Sequence, residues 1–112
     1  SGTLSAATLG SGWTNITSFG TNMAASAPTP RCTKFGNWVV LTGATIGTGA
    51  VSAGATLFTL PSGYRPSSTV RVAITIGTTA TQMVIATSGA CSGPANSNGV
   101  EIYIGGVIFA TD

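Results

Sequence analysis

Leu60-Pro61-Ser62-Gly63-Tyr64-Arg65-Pro66 separates two stretches with the residue pattern of β-strands. Ala55-Thr56-Leu57-Phe58-Thr59-Leu60 leads into it, and Val70-Arg71-Val72-Ala73-Ile74-Thr75-Ile76 follows it. Pro61 has no amide hydrogen to give a sheet, so the strand before it ends there. Pro61 and Gly63 fit positions i+1 and i+3 of a type I turn begun at Leu60. Pro66 then drives Arg65 into an extended conformation and the chain restarts as a strand. In that strand Val70, Val72, Ile74 and Ile76 fall on one face and Arg71, Ala73 and Thr75 on the other, a strict period of two.

The same alternation recurs outward from this turn. Arg31-Cys32-Thr33-Lys34-Phe35 reads as a short strand and Gly36-Asn37 as a hairpin turn. Trp38-Val39-Val40-Leu41-Thr42 resumes as a strand that runs on to Ile46, and residues 47–54 form a glycine-rich loop. Residues 80–87 set Gln82, Val84 and Ala86 against Met83 and Ile85. Val100, Ile102 and Ile104 alternate with Glu101 and Tyr103, and Gly105-Gly106 is a hairpin signal ahead of Val107-Ile108-Phe109-Ala110. Residues 13–19 supply a first strand, residues 22–30 a loop, and residues 88–98 the longest irregular stretch of the second half. No capped helical periodicity and no fixed-period repeat is present. Short alternating strands with turn signals between them argue for an all-β protein, an antiparallel β-sandwich or barrel, and a jelly-roll-like sandwich is the expectation.

A chain of 112 residues makes one domain and buries about two-thirds of its unfolded surface. Charged residues are 5% of it, against roughly 25% in ordinary globular proteins. Ser, Thr, Gly and Asn fill that gap. With a net charge of +2, little repulsion keeps copies apart, and the composition suits a chain that covers part of its outside with copies of itself. No uninterrupted apolar run reaches the ~18 residues of a membrane span, so membrane insertion is not expected. Residues 1–11 are small and polar apart from Leu4 and Leu9. They read as a linker remnant from an upstream shaft or neck, leaving 12–112 as the folded head. The start lacks the basic and apolar segments of a signal peptide.

The catalytic inventory is nearly empty. There is no histidine, and the carboxylates are Glu101 and the terminal Asp112. A glycosidase-type pair would have to be those two, and a Ser or Cys nucleophile would lack a His base. Zinc and calcium lack their usual ligand sets, and no glycine-rich segment precedes a helix to cradle phosphate. Arg31, Lys34, Arg65 and Arg71 are scattered among strands, too few to displace nucleic-acid counterions. The expectation is a non-enzyme with no cofactor, no metal and no nucleic-acid partner. Cys32 and Cys91 allow either two buried free thiols or one disulfide, the latter worth roughly 4 kcal/mol across so long a loop.

Recognition through neutral groups remains. Saccharides are held by aromatic faces against C–H groups and by amides and hydroxyls against their own hydroxyls. Trp13, Trp38, Tyr64 and Tyr103 are the aromatic platforms. Core or subunit-contact packing is the first reading for Trp13 and Trp38, and Tyr64 belongs to the turn. Tyr103 lies opposite the apolar run of its strand and is the best exposed candidate. Asn96 and Asn98, in the loop before that strand, join Trp38 and Tyr103 as candidate ligand-binding residues. Arg65 has a structural role, pairing with a neighbouring carbonyl or with Glu101.

The segment Leu60, Pro61, Gly63, Tyr64, Arg65, Pro66 resembles the Leu-Pro-x-Gly-Tyr-Arg-Pro turn of the carboxy-terminal head domains of bacteriophage tail-fibre and baseplate receptor-binding proteins. Gly12-Trp13-Thr14 is similar to the opening of those heads, residues 31–43 to their basic, glycine-marked approach to a valine-rich strand, and residues 98–107 to their closing hairpin. The resemblance implies a homotrimeric head at the tip of a virion tail fibre or baseplate, acting outside the cell and attaching to a host cell-surface saccharide. Its alternatives are a purely structural trimeric cap of a fibre, or a fibre-tip module of a phage-derived bacteriocin or contractile injection system.

Overall fold

The computed structural model describes residues 13–111. Alternating β-branched residues punctuated by glycine turns fold as twelve strands: β1 (Thr14–Asn15), β2 (Ser18–Phe19), β3 (Met23–Ala25), β4 (Arg31–Phe35), β5 (Trp38–Thr42), β6 (Ala44–Gly47), β7 (Thr56–Thr59), β8 (Val70–Ile76), β9 (Thr79–Ile85), β10 (Ala90–Ser92), β11 (Glu101–Tyr103) and β12 (Ile108–Ala110). No helix occurs among the described residues. The strands form a four-stranded sheet, β1-β4-β5-β12, and an eight-stranded sheet, β2-β7-β10-β9-β8-β11-β6-β3. Every pairing is antiparallel. The all-β sandwich is therefore the observed fold, with the larger sheet curled into a nearly closed barrel.

Two hairpins follow the sequence pattern closely. Gly36-Asn37 joins β4 to β5 with Phe35 opposite Trp38, and Gly77-Thr78 joins β8 to β9 with Ile76 opposite Thr79. The period of two on β8 also holds: Ile74 is buried, and Val70, Val72 and Ile76 pack against the core beside it. Phe58, Leu57, Leu60, Met83, Ile85 and Ile102 of the large sheet meet Cys32, Val39, Leu41 and Phe109 of the small one. Each fully buried large aliphatic or aromatic side chain stabilises the fold by about 1.5–3 kcal/mol relative to exposure.

Elsewhere the chain changes sheets where its pattern looks continuous. The single strand expected over residues 13–19 is two, β1 in the small sheet and β2 in the large one. Between them Ile16 is buried and its amide donates to the Pro30 carbonyl at 2.9 Å. The strand expected to run from Trp38 to Ile46 breaks at Gly43, where β5 gives way to β6 of the other sheet. Ala44 N–H then bonds to the Pro28 carbonyl at 3.0 Å instead of continuing the β5 ladder. Gly105-Gly106 is not a hairpin turn, because β11 belongs to the large sheet and β12 to the small one. Its reversal docks on β5, with Gly106 N–H donating to the Leu41 carbonyl at 3.2 Å and Leu41 N–H to the Val107 carbonyl at 2.8 Å. The stretches expected as loops over residues 22–30 and 88–98 each hold a short strand, β3 and β10. Both are three residues of mostly small side chains, which pair by backbone hydrogen bonds without an alternating signature. The linker reading of residues 1–11 lies outside the described residues.

Candidate functional site

The turn after β7 is built around the proline and glycine expected there, but one residue later than the sequence suggests. Tyr64 N–H donates to the Pro61 carbonyl at 3.2 Å, so the turn begins at Pro61 and Gly63 occupies position i+2. Gly63 has φ of 93°, the value of a type II turn, which a residue with a Cβ reaches only under strain. The type I assignment is corrected accordingly. Arg65 folds back, and its Nε donates to the Leu60 carbonyl at 3.0 Å. Glu101 instead accepts from Ser26 Oγ at 2.7 Å, which settles the pairing of Arg65 in favour of the carbonyl. Gly89 lies against this arrangement with φ of 87°, and a Cβ there would stand 2.7 Å from Arg65 Nε and 2.9 Å from the Leu60 oxygen. Across the sandwich, Lys34 Nζ donates to the Gly63 carbonyl at 3.3 Å, and Tyr64 Oη lies 2.9 Å from Thr14 Oγ1. The motif is thus a clasp between the two sheets.

The candidate aromatics divide by sheet. Tyr103 is 43% exposed on the outer face of the large sheet, directly opposite Ala44 of β6 and Thr75 of β8. Ala80 follows Thr75 in the same row. Small neighbours leave the ring standing above its surroundings. Glu101, Gln82 and Arg71 continue that face by the alternation of their strands, Gln82 and Arg71 being exposed. Trp38 is 53% exposed, so it takes no part in the core of the chain. It heads a row with Phe35 and Ala110, next to a row of Thr33, Val40 and Ile108 on the same outer face of the small sheet. Phe35 and Ile108 are exposed as well. Tyr103 and Trp38 therefore stand on different sheets and do not form one site.

Of the two asparagines, Asn98 is exposed and Asn96 is buried. Asn96 Nδ2 donates to the Val100 carbonyl at 3.3 Å, and its backbone forms a paired bridge with Val51 at 2.9 Å each way. Asn96 is a loop anchor, which removes it from the ligand-binding candidates. Trp13 is half-buried and lies outside the hydrophobic core, with the Arg31 guanidinium 5.5 Å from its ring centre. Cys32 and Cys91 are both free and buried, in β4 and β10 of opposite sheets, so the disulfide alternative is withdrawn. Burial pushes the Cys32 thiol up to about 11 and the Cys91 thiol up to about 12. No group of three or more metal-ligating side chains occurs among the described residues, and Asp112 lies outside them.

One concavity was not legible in the sequence. A cleft of about 220 Å³ lies between the β8–β9 hairpin and the loop after β10, lined by Ile76, Thr79, Thr81, Pro94 and Ala95. The period of two places Ile76, Thr79 and Thr81 on the inward face, but nothing local announces that Pro94 and Ala95 cross in front of them.

No protein-family model and no curated protein sequence matches the chain. Its antiparallel two-sheet fold is similar to that of a solved phage receptor-binding protein. The crystal structure of the receptor binding protein (gp15) of Listeria phage PSA superposes with a TM-score of 0.61 at 22% sequence identity. The match covers 89% of this chain and 64% of that one. The likeness read from residues 60–66 thus extends to the fold, over somewhat less than two-thirds of the phage protein's length.

Proposed function

We propose that this chain is the receptor-binding head of a phage tail-fibre or baseplate protein, and that it attaches the virion to a host cell-surface saccharide. The observation that carries the reading is the fold shared with a phage receptor-binding protein over 89% of the chain. The surface chemistry supports a neutral polyol target. Charged residues are 5% of the sequence, and Tyr103 offers an exposed aromatic ring on the sheet face that also carries Thr75, Gln82 and Glu101. In this reading the head binds without catalysis, outside the cell, at the tip of the virion tail. Copies associate as a trimer through the apolar rows around Trp38 and Ile108, and several weak sites held together multiply into firm adhesion.

The test is binding of the tagged chain, displayed multivalently, to a glycan array and to a panel of bacterial strains. Strain-selective adhesion, competed by a soluble cell-wall saccharide, is the expected result. Absence of adhesion at every valency would overturn the attachment role and leave the structural cap of a fibre.

A further inference from the structure

We infer that the cleft between the β8–β9 hairpin and residues 94–95 is a binding subsite for a single neutral sugar ring, separate from the Tyr103 face. The inference rests on the saccharide reading above and assigns part of that binding to specific groups. The lining has the two-sided chemistry such a ring requires. Ile76, Pro94 and Ala95 present aliphatic surface suited to ring C–H groups, while Thr79 and Thr81 bring hydroxyls. Neither hydroxyl has a hydrogen-bond partner among the described residues. No charged side chain lines the cleft, so an ionic ligand would find no counter-charge there. Its volume of about 220 Å³ falls below the ~300–1,000 Å³ of pockets that enclose drug-sized ligands. One ring, not a whole oligosaccharide, is the matching size.

The walls are fixed before any ligand arrives. Gly54 N–H donates to the Gly93 carbonyl at 2.9 Å on one side of Pro94-Ala95, and Val51 and Asn96 exchange backbone hydrogen bonds on the other. The buried Asn96 side chain holds the loop down further through the Val100 carbonyl. On the opposite wall Thr79 and Thr81 belong to β9, whose ladder with β8 is continuous from Val70 to Ile76. A wall pinned in this way spares the ordering cost that weakens binding by mobile loops. Because Ile76 and Thr75 alternate on β8, the cleft and the Tyr103 ring lie on opposite faces of that strand. The two sites are therefore separable by mutation.

The experiment is an amide-resolved NMR titration of the ¹⁵N-labelled chain with N-acetylglucosamine, galactose, glucose and rhamnose, alongside array binding of wild type, Ala95→Trp, Thr81→Val and Tyr103→Ala. At least one sugar should shift the amides of residues 76–81 and of Ala95 saturably. Ala95→Trp should abolish those shifts, and Thr81→Val should weaken them about five- to tenfold, the worth of one hydrogen bond. Preserved amide dispersion in Thr81→Val guards against misfolding of the bulkier variant. Glycan binding that persists in Ala95→Trp but is lost in Tyr103→Ala would overturn the cleft and leave the receptor-binding role standing. Array binding by none of the proteins would overturn both.

Discussion

Tyr64 Oη lies 2.9 Å from Thr14 Oγ1, fifty residues away in sequence and on the opposite sheet. The side chain in the distinctive turn is therefore spent on joining the two layers of the sandwich. Tyr64→Phe should keep the ring packing and lose only this bond, at a cost of about 0.5–1.5 kcal/mol in urea unfolding. Thr14→Val should cost a similar amount, and the double variant less than the sum of the two. Full additivity would show that the hydroxyls do not interact in solution.

Two glycines flank the same turn under different constraints. Gly63 has only its backbone conformation to satisfy, since no atom lies within 4 Å of a Cβ placed there. Gly63→Ala should cost about 1–2 kcal/mol. Gly89→Ala meets the Leu60 oxygen and the Arg65 side chain as well, so its loss should exceed that of Gly63→Ala by at least about 1 kcal/mol. Denaturant midpoints of equal value for the two variants would contradict the packing of Arg65 beneath Gly89.

The buried thiols make stability depend on alkaline pH. Their ordinary value is 9.0, and in the folded chain they rise to about 11 for Cys32 and about 12 for Cys91. Between these limits the unfolded chain has lost protons that the folded chain keeps, so stability falls as pH rises. The contribution is fully present below pH 9 and declines from there toward about 11 to 12. Chemical denaturation along this range should show the decline, and the Cys32→Ala/Cys91→Ala variant should show a shallower one. Near about pH 8 both thiols should resist iodoacetamide until the chain is unfolded.

The proposed trimer would bury the apolar rows of the small sheet. Trp38 and Ile108 are 53% and 55% exposed, so Trp38→Lys/Ile108→Lys should leave the far-ultraviolet dichroism of the chain unchanged. Light scattering should give a threefold mass for wild type and a single-chain mass for the variant. A wild-type chain that stays monomeric at high concentration would sink the trimer.

Tyr103 tests the proposed saccharide face independently of folding. Its ring is 43% exposed and its strand neighbours are small, so Tyr103→Ala should change unfolding free energy by no more than about 0.5 kcal/mol. Binding to a cognate glycan should weaken at least about tenfold, equivalent to about 1.4 kcal/mol.

The sequence was most informative where one residue type had one physical job. Gly36-Asn37 could close a hairpin and does, and alternation on β8 told inside from outside because that strand is long. Strand order was not legible. Gly43 and Gly105-Gly106 carry ordinary turn chemistry, and local chemistry does not say which sheet receives the next residue. The short strands β3 and β10 lacked enough alternating side chains to announce themselves. Among the site residues Asn98 and Tyr103 are exposed as expected, whereas Asn96 is buried two positions away. A polar residue in a loop reads alike whether it faces solvent or ties down backbone. Trp38 is exposed, which removes the core from its two packing roles, and alternation along a strand of five residues does not by itself tell which face looks inward.

The eight-stranded sheet begins with β2 and ends with β3, consecutive segments joined by a tight turn in which Met23 N–H donates to the Gly20 carbonyl at 3.2 Å. No ladder joins these two margins, and what limits them as templates for an incoming strand is their length, two residues for β2 and three for β3. The margins of the small sheet, β1 and β12, are equally short, two and three residues. A protein this poor in electrostatic repulsion is guarded against strand-on-strand stacking by the brevity of all four of its sheet margins.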